Sequence, residues 1–243
     1  MTIMRRLQSA LRRHGAFGFL RLLVKNVRYH GARALSGELF RNVDDSASEF
    51  DREKGTDTEA IREIGSLDVH SDNARHAVRY QPSPHLLATE VIHSIPIDPT
   101  AFTFIDFGSG KGRVLLIAAG LPFASVVGIE FSKELCDVAT GNIAGQDVEA
   151  VRAADVSCIH QDVTTYELPD TPLVCYFYNP FDEVIMRQVV ERLESSIGRA
   201  PRDVFVIYIH PENRQLFDQS DRWHSLEEGN FHVVYRSVAV GSG

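Results

Sequence analysis

Cysteine is scarce in this 243-residue chain. There are three, Cys136, Cys158 and Cys175, an odd number with no C-x-x-C spacing. A disulfide framework and a thiolate zinc site are therefore excluded, and reduced thiols in a cytoplasmic protein are expected. Ten histidines are present, but none are spaced H-x-H or H-x-x-x-H, so no metal site is expected. No apolar run reaches the roughly 18 residues that a membrane span needs. Acidic residues are missing from residues 1–35, which hold eight Lys/Arg and no Asp/Glu. The whole chain carries a net charge of −8, so residues 36–243 hold seventeen bases against thirty-three acids, a net of −16. An acidic body of this kind argues against nucleic acid as a partner.

What is present falls into three parts. Residues 1–35 form a basic helical arm, broken near Gly15 to Gly18. Met4, Leu7, Leu11, Leu20, Leu23, Val24 and Val27 mark one face, and Arg5, Arg6, Arg12, Arg13, Arg21, Lys25 and Arg28 take much of the rest. Arg21 interrupts the apolar run and no small-residue cleavage site follows, so a signal peptide is not expected. Two readings stand side by side: weak peripheral contact with anionic lipid or an acidic partner, and a helix docked on its own domain with a solvated basic face. Residues 36–79 are polar, with weak periodicity apart from a short helical pattern near Glu59 to Ile64, and read as a linker or cap. Within them Phe50 to Thr58 is a candidate lid loop. Residues 80–243 form the third part.

In that third part strands and helices alternate. Ser83 and Pro84 open a helix over Leu86–Ile95, Ser83 as its cap. Strands follow at Phe102–Phe107, Ser125–Glu130, Asp155–Gln161, Pro172–Tyr178 and Asp203–Ile209. Helices lie between them at Val114–Ala119, Lys133–Ile143 (capped by Ser132) and Asp182–Ser196, with a short one at Pro211–Asp218. Arg222–Leu226 and Phe231–Val238 read as a closing antiparallel pair. The pattern predicts an α/β fold, a doubly wound and mostly parallel sheet ending in an antiparallel pair, preceded by a helical extension.

The run FTFIDFGSGKGRVLLIAAG, Phe102 to Gly120, is a buried strand, a glycine turn and a helix. A phosphate-cradling P-loop needs G-x-x-x-x-G-K-[ST], and here Gly112 follows Lys111. The dinucleotide fingerprint needs G-x-G-x-x-G, and Arg113 stands in the third glycine's place. The spacing present is Asp106-x-Gly108-x-Gly110-x-Gly112. It resembles the first motif of class I S-adenosylmethionine-dependent methyltransferases, D/E-x-G-x-G-x-G. The resemblance extends in order over roughly residues 80–240, since that family has a seven-stranded sheet with a terminal antiparallel pair. The local run is also similar to small protein-lysine methyltransferases of the same fold.

The resemblance implies a cofactor and a set of site residues. Ligands of open α/β sheets bind beyond the carboxyl ends of the strands. There, Gly108, Ser109, Gly110 and Gly112 would meet the methionine part of S-adenosylmethionine, and Asp106 would balance its ammonium. Glu130, 24 residues after Asp106, would accept hydrogen bonds from the ribose hydroxyls, with Phe131 beside it. Asp162 would contact the adenine amino group, and Val163 would lie along the ring. Asn179-Pro180-Phe181 is similar to a shortened N/D-P-P-Y/F motif of methyltransferases acting on nitrogen, with one proline missing. On that likeness Asn179 and Pro180 hold an acceptor N–H₂ and Phe181 stacks on it, while Tyr80 lines the acceptor side. The acceptor itself, a small molecule or a protein side chain, is not specified. Tyr80, Asp182 and His210 are the candidate bases. Lys111 and Arg113 have three open partners: Asp106, cap carboxylates such as Asp51 or Asp57, and the cofactor's carboxylate. The competing function is a non-catalytic module of this fold, tethered to a partner or membrane by the arm.

Overall fold

The structure is a computed structural model, and it describes residues 43–59 and 81–238. The basic arm, Tyr80 and the pattern near Glu59 to Ile64 lie outside the described residues, apart from Glu59 itself. Residues 46–243 form one compact unit. Among the described residues no helix is long and apolar enough to cross a membrane.

The chain runs through helix α1 (Val43–Lys54), helix α2 (His85–Ser94) and a 3-10 turn (Pro99–Ala101) into strand β1 (Thr103–Phe107). Helix α3 (Arg113–Ala119), strand β2 (Ser125–Glu130), helix α4 (Lys133–Ala144), strand β3 (Val156–His160) and strand β4 (Leu173–Tyr178) follow. The remainder is helix α5 (Glu183–Arg199), strand β5 (Val204–Ile209), helix α6 (Gln215–Asp218), strand β6 (Trp223–Glu228) and strand β7 (His232–Ser237). The sheet order is β3-β2-β1-β4-β5-β7-β6. Strands β1 to β5 pair in parallel, while β7 lies antiparallel between β5 and β6. The expected seven-stranded α/β sheet with a terminal antiparallel pair is the observed one.

Two cores flank the sheet, and the period of two along each strand sorts residues between them. Ile105, Phe107, Leu173, Cys175, Phe177, Val204, Val206 and Tyr208 face the side carrying α5, whose Ile185, Met186, Val189 and Leu193 pack on them. Phe104, Val126, Val174, Tyr176, Phe205 and Ile207 face the other side, against Ala88, Val91 and Ile92 of α2 and Val114, Leu115 and Ala118 of α3. Every residue of β1 and of β5 is buried, as expected of strands covered on both faces.

Two expectations are corrected. Ser83 does not cap α2. The helix starts at His85, so Pro84 occupies the cap position without a side-chain bond, and the Ser83 hydroxyl accepts from the buried Tyr176 hydroxyl (3.2 Å). The stretch from Phe50 is not a lid loop throughout. Phe50 to Lys54 is the last turn of α1, and only Gly55 to Thr58 lies outside the helix, as a turn at Gly55 followed by irregular chain. Its polar sequence, VDDSASEFDREK, hid the helix, because few apolar positions mark its buried side.

Candidate cofactor and acceptor site

The site is built at the carboxyl edge of the sheet, where β1 lies between β2 and β4 and the strand order reverses. Three elements meet there. The turn after β1 is held by the Ile129 carbonyl, which accepts from the amides of Gly108 (2.9 Å) and Ser109 (3.2 Å). Gly108 has φ of +81°. A Cβ placed on it would lie 2.8 Å from Pro180 Cβ and 3.8 Å from the Phe181 ring. Glycine is therefore required both by the left-handed backbone and by close packing against the end of β4. Gly128 of β2 leaves room for Ser109, whose Oγ would be 2.5 Å from an added Cβ.

Glu130 ends β2 and is 2% exposed. Its Oε2 accepts from the Gly110 amide (2.8 Å) and its Oε1 from the Ser132 amide (2.9 Å). Burial pushes its carboxyl up to about 7, against backbone amides of Ser132, Gly110 and Phe131 that pull it down. Asp106 is fully buried, and its carboxyl is held well above the usual range, first by burial and then by the Glu130 charge. Two buried carboxyls thus share the floor of the site. Sequence reasoning paired Glu130 with a ribose and missed its grip on Gly110, twenty residues away, which no local pattern signals.

Strand β3 is followed by Gln161, whose amide donates to the Glu130 carbonyl (2.9 Å). Asp162 follows and folds back on itself: its Oδ1 accepts from the Thr164 amide (2.9 Å) and hydroxyl (2.7 Å). Val163 is buried in the α5-side core. Phe131 is half-buried, and its carbonyl lies 3.1 Å from His160 Nε2.

Asn179 directly follows strand β4, and His210 directly follows β5. Among the described residues these are the non-glycines with left-handed φ, +42° and +48°. They occupy adjacent strand ends, since Tyr178 pairs with Ile209. Strain of this kind is retained at functional positions more than elsewhere. The Tyr208 hydroxyl, kept neutral by burial that pushes it up to about 12, donates to Asn179 Oδ1 (3.5 Å). The His210 ring lies between Tyr178 and Phe231, centroids 5.7 Å and 5.4 Å away. Gln81 Nε2 donates to the Tyr178 hydroxyl (3.2 Å). Phe181 is buried beside Gly108. Asp182 caps α5, its Oδ1 accepting from the amides of Val184 (3.0 Å) and Ile185 (3.3 Å).

Lys111 and Arg113 find their partners in the residue 50–58 segment. Lys111 Nζ lies 2.6 Å from Asp57 Oδ1. Arg113 donates from Nε to the Thr58 hydroxyl (2.7 Å), lies 3.8 Å from Asp51 and sits over the Phe50 ring at 5.2 Å. Among the described residues no group of three or more His, Cys, Asp or Glu could hold a metal ion.

The edge therefore brings Asp106, the glycine turn, Glu130, Asp162 and Asn179 to successive strand ends. Residues 105–204 match the family model described as "Methyltransferase domain". A comparison with curated proteins gives no match. The chain is similar to three solved structures among others. One is magnesium protoporphyrin IX methyltransferase from Synechocystis PCC 6803 with bound SAM (15% identity, 64% of this chain and 79% of that one, TM-score 0.44). Another is the ribosomal protein L11 methylase from Lactobacillus delbrueckii subsp. bulgaricus (15%, 64% and 76%, TM-score 0.43). The third is an RNA methyltransferase from Salinibacter ruber in complex with S-adenosyl-L-homocysteine (19%, 68% and 95%, TM-score 0.44).

Proposed function

We propose that this chain is a class I S-adenosylmethionine-dependent methyltransferase that transfers a methyl group from S-adenosylmethionine to a nitrogen acceptor, a reading supported by the methyltransferase-domain match over residues 105–204. The observation that carries the reading is the meeting of the glycine turn with the β4 end: Gly108 packs against Pro180, so a ligand on the turn lies beside Asn179.

The residues fit the cofactor. The Gly108–Gly112 turn offers close backbone approach to the methionine part. Asp106 and Glu130 offer buried acceptors for an ammonium and for vicinal hydroxyls, and Asp162 an acceptor for an exocyclic amine. The cofactor supplies a methyl group already activated on a sulfonium. The acceptor's lone pair forms the new N–C bond as the S–C bond breaks, its electrons returning to sulfur, so the chain's task is alignment. Asn179 Oδ1 has two lone pairs, and the Tyr208 hydroxyl uses one. The other, with the Pro180 carbonyl, suits an acceptor N–H₂. That favours nitrogen over oxygen, since a hydroxyl has one proton to give. The acceptor proton leaves to solvent or to His210, whose ring stands at the neighbouring strand end.

Calorimetry with S-adenosylhomocysteine tests the cofactor half. Micromolar binding is expected, weakened at least tenfold by Glu130→Ala; no binding at millimolar ligand sinks the reading. Label transfer from S-adenosylmethionine into a cell extract tests the acceptor half: label that survives mild alkali is expected, and a product lost as a base-labile ester counts against nitrogen.

A further inference from the structure

Lys111 in the glycine turn and Arg113 directly after it pair with the segment 51–58, and the proposed function leaves them unused. Lys111 lies between Gly110 and Gly112, and its side chain is 2% exposed. An ammonium removed from water needs a counter-charge. Asp57, 67% exposed, supplies it at 2.6 Å. Asn142 of α4 joins the same two partners. Its Nδ2 donates to the Lys111 carbonyl (2.9 Å) and the Asp57 carbonyl (3.2 Å), and its Oδ1 accepts from the Asp57 amide (3.1 Å). Six residues before Asp57, Asp51 accepts from the Thr56 hydroxyl (2.8 Å) and the Thr58 amide (2.8 Å), which folds the segment under Arg113. Arg113 also donates to the Ser83 carbonyl (3.4 Å). Phe50, buried, closes the cluster against Arg113 and the His85 ring (5.6 Å).

We propose that Phe50 to Thr58 is a strap that holds the glycine turn in its binding conformation, with Asp57 and Asp51 as positioning residues acting through Lys111 and Arg113. What the turn binds rests on the cofactor reading above; the strap's grip on the turn does not. The site is on this account completed by residues outside the 105–204 family match. The coupling is reciprocal: if the strap favours cofactor binding, cofactor steadies the strap.

The test uses the full chain as wild type and as two variants, D57A and D57E. Asp57 is at the surface and its backbone bonds to Asn142 do not use its side chain, while circular dichroism and urea unfolding of D57A measure what the stranded Lys111 charge costs the fold. In D57A, amide exchange at 108–113 should speed up without ligand, and S-adenosylhomocysteine affinity should fall about tenfold, within the usual range for coupled sites. D57E keeps the charge and should recover most of both. In the wild type, S-adenosylhomocysteine should slow exchange at 55–58. Unchanged exchange at 108–113 in D57A overturns the proposal, as does acceleration spread evenly over the sheet, which marks general loss of stability. If the wild type binds no S-adenosylhomocysteine, the cofactor reading falls, and exchange at 108–113 alone decides the strap.

Discussion

Burial lifts the Glu130 carboxyl toward neutral pH, which makes it the residue most open to measurement. Its folded value, about 7, lies above its ordinary 4.5. A raised carboxyl binds a proton preferentially in the folded state. Its contribution to stability is therefore full below pH 4.5 and is lost as pH rises to about 7. The size, about 3 kcal/mol, follows from 1.36 kcal/mol for each unit of separation. Urea unfolding at pH 5, 6 and 7 should show the wild type losing stability faster with pH than Glu130→Gln, and parallel slopes would show that Glu130 does not titrate in this range. On the proposed reading, ribose hydroxyls would donate to Glu130 and so favour the carboxylate. S-adenosylhomocysteine affinity should therefore rise between pH 6 and 8, with proton release seen as a buffer-dependent heat. At Gly108, substitution by alanine should cost about 1–2 kcal/mol for the left-handed backbone alone, with a further loss in ligand affinity as Pro180 is pushed away. The glycine spacing and the four strand-end residues were legible in the sequence, because both follow from local order along the chain. The hold of Glu130 on Gly110 was not, since a carboxylate's partner across a sheet leaves no local trace.

At the scale of elements, the strands announced themselves because β4 and β5 are continuous apolar runs bounded by turns, and β1 departs from one only at Thr103 and Asp106. Their ends shifted by a residue or so: β1 starts at Thr103, and β3 spans Val156–His160. Helix α1 escaped notice for the opposite reason, a polar sequence with one buried aromatic, Phe50. The partners of Lys111 and Arg113 stayed open because Asp57 and Thr58 lie more than fifty residues upstream. Asp182 separates two roles at this scale. As the α5 cap it satisfies two orphan amides, so Asp182→Ala should lower stability by about 1 kcal/mol while leaving S-adenosylhomocysteine binding unchanged. A variant with full stability but no methyl transfer would instead mark Asp182 as the base.

For the whole molecule, the two cores communicate through the sheet they share. Leu115, fully buried on the α2/α3 side, is packed directly behind the glycine turn. Leu115→Ala should cost about 2–5 kcal/mol, as large-to-small changes in buried sites do. Chemical denaturation should report that loss in one transition, because 46–243 is a single compact unit. Separate transitions for the two faces of the sheet would contradict a shared core.

Strand β7 has a consequence for how the protein is made. It comes last in the described chain, yet it covers β5 from Phe205 to Ile209. While a ribosome is still making residues 210–231, the run Val204–Ile209 has its outer row of amides and carbonyls bare, and it is apolar on both faces. Such an edge pairs readily with another copy of itself. The nascent chain is therefore exposed to aggregation until about residue 237 has left the exit tunnel. A stop codon at 231 should send the product to the inclusion-body fraction, while the same chain ending at 238 stays in the supernatant. Equal solubility of the two would show that β5 is shielded some other way.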